Sequence, residues 1–172
     1  MKVLHFILLI GVSVIFSQVA MAEHKIAFVN QQVLLEKAPQ AEAARNKLQK
    51  EFAKRDKALV KLQSNIKSNE KKLQKDAAVI SNAALSKLKR KITLLRRDLE
   101  RDKEAFREDL SIRQNEELVT LQKAVLQAIT KVAQNEKYDL IVSDGVIYAS
   151  KRIDVTNKIL NELKKKYTSK NK

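Results

Sequence analysis

Leu73-Gln74-Lys75-Asp76-Ala77-Ala78-Val79-Ile80-Ser81-Asn82-Ala83-Ala84-Leu85, residues 73–85, is the stretch about which the rest of the chain folds. On its N-terminal side apolar residues recur at alternating steps of four and three: Leu48, Phe52, Leu59, Leu62, Ile66 and Leu73, with Arg55 and Asn69 in the two remaining seats. That is the spacing of a coiled-coil seam with polar interruptions. From Asp76 to Asn82 the beat is lost, and Lys75-Asp76 and Ser81-Asn82 supply capping chemistry, which places a turn there. Beyond it the seam resumes as Leu85, Leu88, Ile92, Leu95, Leu99, Phe106 and Leu110, an approximate mirror image of the first series. Positions whose numbers sum to about 158 then face each other: Leu48 and Leu110, Phe52 and Phe106, Leu59 and Leu99, Ile66 and Ile92, Leu73 and Leu85. Arg55 falls beside Asp102. One continuous helix has no need of this symmetry, whereas an antiparallel pair folded at a tip near residues 76–83 requires it. Charge agrees, since residues 42–62 hold seven basic and three acidic side chains and residues 98–118 hold four basic and eight acidic. The two arms attract.

Outward from the arm, Pro39 opens the first long helix, as proline does in a first turn. Before it, Gln31 to Lys37 reads as two helical turns capped by Asn30, and Lys25-Ile26-Ala27-Phe28-Val29-Asn30 as a short strand. After the arm, Leu118, Leu121, Val125, Ile129 and Val132 keep a helix running to about Asn135. The period then changes to that of a strand. Tyr138 to Ser143 and Val146 to Ser150 are expected to form a hairpin about Asp144-Gly145, the favoured type I′ pair. A last helix, capped by Asp154 or Thr156, sets Ile159, Leu160, Leu163 and Tyr167 on one face and ends in a basic tail expected to fray. The fold class is α+β and mostly α. A small β-sheet body comes from residues 23–38 and 119–172, and a long antiparallel coiled-coil arm from residues 39–118.

The 172 residues carry 35 Lys and Arg against 20 Asp and Glu, with two Gly, one Pro, two His and no Cys or Trp. With Gly11 and Gly145 the only glycines, neither a phosphate-binding nor a dinucleotide-binding glycine loop can be written. Residues 1–22 read as a secretory signal: Lys2, an apolar run from Val3 to Phe16, then Ala20-Met21-Ala22 before the cleavage point. The competing reading is an uncleaved anchor, which the polar Ser17 and Gln18 argue against. Cleavage leaves His24 as the single imidazole, near a terminus expected to be disordered, and a formal charge of +14. His-based catalysis, zinc and thiol chemistry are excluded, and neighbouring acids such as Glu108-Asp109 and Glu116-Glu117 diverge by about 100° on a helix and cannot work as a pair. No catalytic, cofactor-binding or metal-binding residue is expected.

Three short strands and two short helices bury little by themselves, and the arm is expected to add nothing to that core. Subunits should therefore pair their sheets, through Ile26, Phe28, Leu140, Val142, Ile147 and Tyr148. At the outer end of the arm Lys71, Lys72, Lys75, Lys87, Lys89, Arg90, Lys91, Arg96 and Arg97 stand against one acid, Asp76. Such segregation is more than solubility needs, and it would steer acidic unfolded chains or lipid phosphates to the tip. Val79 and Ile80 are expected to pack over the bend. The polar seats Arg55, Asn69 and Asp102 either loosen the arm or set its register.

The layout of export signal, Lys-Ile-Ala-Phe-Val-Asn strand, glycine-free charged hairpin, Tyr-Asp-Leu-Ile-Val-Ser, Val-Ile-Tyr-Ala-Ser and Asp154-Val155-Thr156 closely resembles the Skp (OmpH) family of periplasmic chaperones. The specific parts are residues 25–30 and 138–163; the arm matches in pattern only. The resemblance implies a homotrimer, with an intertwined β-barrel body and three helical arms around a cavity. It also implies a holdase that keeps unfolded outer-membrane β-barrel proteins from aggregating in the periplasm, without ATP or another cofactor. Contact with lipopolysaccharide or a membrane surface is implied for the family but falls on no residue that can be matched here. Two rival classes remain: an envelope protein binding lipid phosphate or nucleic acid, and a structural spacer. Nucleic acid is disfavoured by the export signal and by an arm whose only aromatic residues, Phe52 and Phe106, lie in the seam.

Overall fold

The computed structural model describes residues 24–170; the export signal expected over residues 1–22 lies outside the described residues. Strand β1 (Ile26–Phe28) leads into helix α1 (Gln31–Lys37), whose first turn is closed by the Asn30 side chain accepting from the Val33 amide at 3.0 Å. Pro39 cannot follow a helical residue comfortably, so α1 stops and Ala38 takes extended dihedrals before α2 (Pro39–Asp76) begins. The chain turns back between Asp76 and Asn82, where Ile80 and Val79 amides both donate to the Asp76 carbonyl. Ser81 then caps α3 (Asn82–Glu136), its hydroxyl accepting from the Ala84 amide.

The two long helices run antiparallel. Phe52 and Phe106 meet edge to face with ring centroids 5.4 Å apart, and Ile66, Ile92 and Leu99 are buried along the same line. Most other seam residues are only half-buried, as an isolated pair of helices has just one covered face.

Helix α3 ends at Lys137 in the left-handed conformation, with the Tyr138 amide donating to the Ala133 carbonyl at 2.9 Å. Strand β2 (Leu140–Val142) follows and pairs parallel with β1, Ile26 opposite Leu140 and Phe28 opposite Val142. A parallel pair needs a long crossover, and here the crossover is the entire arm. On the other side of β1, the Phe28 amide donates to the Ile153 carbonyl and its carbonyl accepts from the Val155 amide. Helix α4 (Thr156–Lys170) completes the body. Asp154 accepts from the Thr156 amide, while the Thr156 hydroxyl turns instead to the Asn30 amide and ties α4 to the start of α1.

Val29, Leu34, Val125, Ile159 and Leu163 form the centre of one core. Ala41 belongs to the same core, so the arm's first turn does contribute to the body, contrary to expectation. The expected β-hairpin is absent. Gly145 has φ +76°, but Asp144 has no positive φ, and a type I′ turn needs both; residues 146–150 pair with no strand among the described residues. β2 takes β1 as its partner instead, which leaves two strands rather than three among the described residues. The basic C-terminal segment, expected to fray, is helical through Lys170. His24 Nδ1 lies 4.0 Å from the Asp139 carboxylate. Val79, expected to pack over the bend, is 81% exposed.

Candidate functional site: the arm and its tip

Side chains on a helix tilt toward its N-terminus, so those of α2 lean toward the body and those of α3 toward the tip. Ion pairs across the arm therefore join residues offset along it. Arg55 donates to Asp109 at 2.7 Å, not to Asp102, which stands level with it and leans away. Lys47 reaches Glu117 at 2.6 Å and Arg113 reaches Glu51 at 3.1 Å with the same offset. Arg113 also holds Glu116 and, at 3.2 Å, Glu117 of its own helix. These five charges make a clasp at the base of the arm. Glu51 first, then Glu116, push the Arg113 guanidinium above its usual range, and the Lys47 ammonium holds the Glu117 carboxyl below the usual carboxylate range. The general charge complementarity of the arms was legible in the sequence; the individual partners needed the tilt of the side chains as well.

At the tip all nine basic residues are exposed. Arg96 is held by Glu70 across the arm, through Nε at 3.0 Å and Nη2 at 2.5 Å, and so belongs to the helix pairing. Lys71, Lys72, Lys75, Lys87, Lys89, Arg90, Lys91 and Arg97 have no acid within 4.0 Å among the described residues. Excess positive charge is thus concentrated where the arm ends.

The six apolar residues singled out in the body fall into two groups. Ile26, Phe28, Leu140 and Val142 share one face of the β1–β2 pair, opposite the face on which Ala27 is fully buried. Ile26 and Leu140 on that face are exposed, and Phe28 and Val142 are half-covered. Ile147 and Tyr148 protrude from the unpaired segment, Tyr148 being 84% exposed. At the body's edge Lys158 holds the Glu136 carboxyl below its usual range, and Lys25 donates to the Glu136 carbonyl while lying 4.5 Å over the Tyr138 ring. This small network carried no signal in the sequence. Among the described residues no group of acids and imidazoles is placed to hold a metal, and no helix is long and apolar enough to cross a membrane.

Residues 25–163 match the family described as Outer membrane protein (OmpH-like). Curated relatives bear the name Chaperone protein Skp. That of Photorhabdus luminescens is 28% identical over 155 residues, 90% of this chain and 94% of the relative. That of Escherichia coli K12 is 29% identical over 161 residues, 92% of this chain and 98% of the relative. A crystal structure of an OmpH-like chain from Caulobacter crescentus CB15 superposes with a TM-score of 0.73 at 14% identity, covering 84% of this chain and 86% of the other, which shows a shared fold.

Proposed function

This chain belongs to the OmpH-like outer membrane protein family, and on that premise we propose that it is an ATP-independent holdase of the periplasm. It takes up unfolded outer-membrane β-barrel proteins between helical arms and keeps them from aggregating. The observation that carries this reading is an arm of 38 residues in α2, about 57 Å at 1.5 Å per residue, with its uncompensated charge at the far end. Such an arm holds a client by many weak contacts, with charge supplying the encounter and multiplicity the affinity. It does no bond chemistry.

The working unit is a homotrimer. The uncovered sheet face of Ile26, Phe28, Leu140 and Val142, together with Ile147 and Tyr148, supports this: residues 146–150 have strand composition and no strand partner among the described residues. Residues 39–118 are the arm and residues 23–38 and 119–172 the trimerising body. The chain reaches its compartment by cleavage after Ala22. Lipid phosphate, including that of lipopolysaccharide, would be met by the same eight unpaired cations.

Native mass spectrometry of the chain from Glu23 onward, with and without a urea-unfolded outer-membrane protein diluted into buffer, tests the reading. Three subunits with one client and suppressed light scattering are expected. A monomer that leaves scattering unchanged rejects it, and tight binding to anionic vesicles without client capture would favour the lipid-binding alternative.

A further inference from the structure

Cross-arm ion pairs form rungs between the two helices: Lys47 with Glu117, Glu51 with Arg113, Arg55 with Asp109, and, nearer the tip, Glu70 with Arg96. Between the rung of Arg55 with Asp109 and that of Glu70 with Arg96 stand Ala58 and Ala105, whose methyl groups cannot bridge the helices. A cleft of about 370 Å³ opens there. Its apolar lining is Leu59, Leu62 and Phe106, and Arg55 and Asp102 supply its charge. Both charges are set in place. The Arg55 guanidinium lies 5.6 Å and 5.7 Å from the Phe52 and Phe106 ring centroids. Asp102 Oδ1 is held by Arg101 at 3.1 Å, while its Oδ2 accepts no hydrogen bond among the described residues.

We propose that this missing rung is a socket for one aromatic side chain, Tyr or Trp, of the bound unfolded chain. The inference rests on the holdase reading and names what its arm selects. At the low end of the roughly 300–1,000 Å³ of small-ligand sites, the cleft takes one ring, not a length of peptide. The ring lies on Leu59, Leu62 and Phe106, its O–H or N–H donates to Asp102, and Arg55 contributes a cation beside its π face. A carboxylate meets Asp102 and an ammonium meets Arg55 as a like charge, and an aliphatic side chain leaves Asp102 Oδ2 without a donor. Transmembrane β-barrels carry girdles of aromatic residues, so an unfolded barrel offers such rings repeatedly along its length. Sockets on several arms then act together.

The test uses one urea-unfolded outer-membrane protein and a version with every Tyr and Trp changed to Leu. With the Ala methyl groups labelled, the first should move the Ala58 and Ala105 signals upfield by ring current and the second should not. The first should also bind about two- to tenfold more tightly per socket, the range of an aromatic pair. Ala58→Leu with Ala105→Leu, both at exposed positions, fills the cleft and should abolish that preference while client capture persists. Stationary Ala58 and Ala105 signals during client capture would overturn the socket and leave the holdase standing, as would a preference that survives filling. Capture of neither client by the native chain overturns both. The methyl signals of the native chain decide the matter even if the double variant unfolds.

Discussion

Arg55 on α2 and Asp109 on α3 form a 2.7 Å ion pair although Asp109 stands seven residues, about 10 Å along the helix, nearer the body than Asp102, which is level with Arg55. The tilt of side chains toward each helix's own N-terminus brings the pair together and carries Asp102 away. Both partners are about half exposed, so the coupling is small. A double-mutant cycle of Arg55→Ala with Asp109→Ala should return about 0.2–1 kcal/mol, and the cycle with Asp102→Ala nothing measurable. Equal coupling in the two cycles would mean the helices are level by a different register.

The seam itself depends on Phe52, which is buried against Phe106 edge to face. Phe52→Ala removes both the burial and the aromatic contact, and should cost about 3–5 kcal/mol in chemical denaturation. Phe106 is the less buried partner, and its replacement should cost less. The ranking reverses if the arm packs with the opposite face of α2 inward.

Acid acts on the clasp at the arm's base. Because the folded Glu117 carboxyl titrates below its ordinary value of 4.5, chiefly through the hydrogen bond from Lys47, the unfolded chain takes up that proton first as pH falls. The stability it contributes is present above about 4.5 and is lost as pH drops through the lower folded value. Glu117→Gln should therefore shrink the fall in thermal midpoint between neutral and strongly acidic buffer. A fall identical to that of the native chain would assign acid sensitivity elsewhere, with Glu136 beside Lys158 the next candidate.

Charge reversal at the tip separates steering from architecture. Lys87→Glu, Arg90→Glu and Arg97→Glu change cations with no partner acid, and should slow client capture several-fold at low salt, with the difference vanishing as salt rises. Arg96→Glu is a different experiment, because it places an acid against Glu70 and loosens the arm. Capture by the triple variant at the native rate in low salt would remove the tip from the mechanism.

The hairpin was legible because a two-helix seam writes itself twice: Phe52 and Phe106, or Ile66 and Ile92, are each other's reflection through the turn, and proline and serine mark the helix starts. The strands were less so. Tyr138 to Ser150 has the alternation and the Asp-Gly of a hairpin, yet its first half pairs with residues more than a hundred positions away. Local composition records strand propensity and says nothing of the partner. The clasp partners and the cleft at Ala58 and Ala105 were hidden for another reason. The ion-pair partners follow from where side chains lean, an offset of six in the sum of residue numbers, and the cleft from two small side chains near the same height, not from which residues are level.

The body offers the sharpest test of assembly. Val142 shares its sheet face with Ile26, Phe28 and Leu140, and Ile147 stands fully exposed on a segment without a strand partner among the described residues. In a lone chain, Ile147→Asp should leave stability within about 0.5 kcal/mol, since an exposed apolar residue away from the core loses almost nothing by becoming charged. In an assembly that covers the site, the same change buries an unpaired carboxylate, and each subunit contact then loses several kcal/mol. Val142→Asp with Ile147→Asp should accordingly convert the oligomer to monomers in analytical ultracentrifugation while the helical signal of the arm persists. A stable oligomer carrying both substitutions would place the interface outside the sheet, and the helices would then have to supply it.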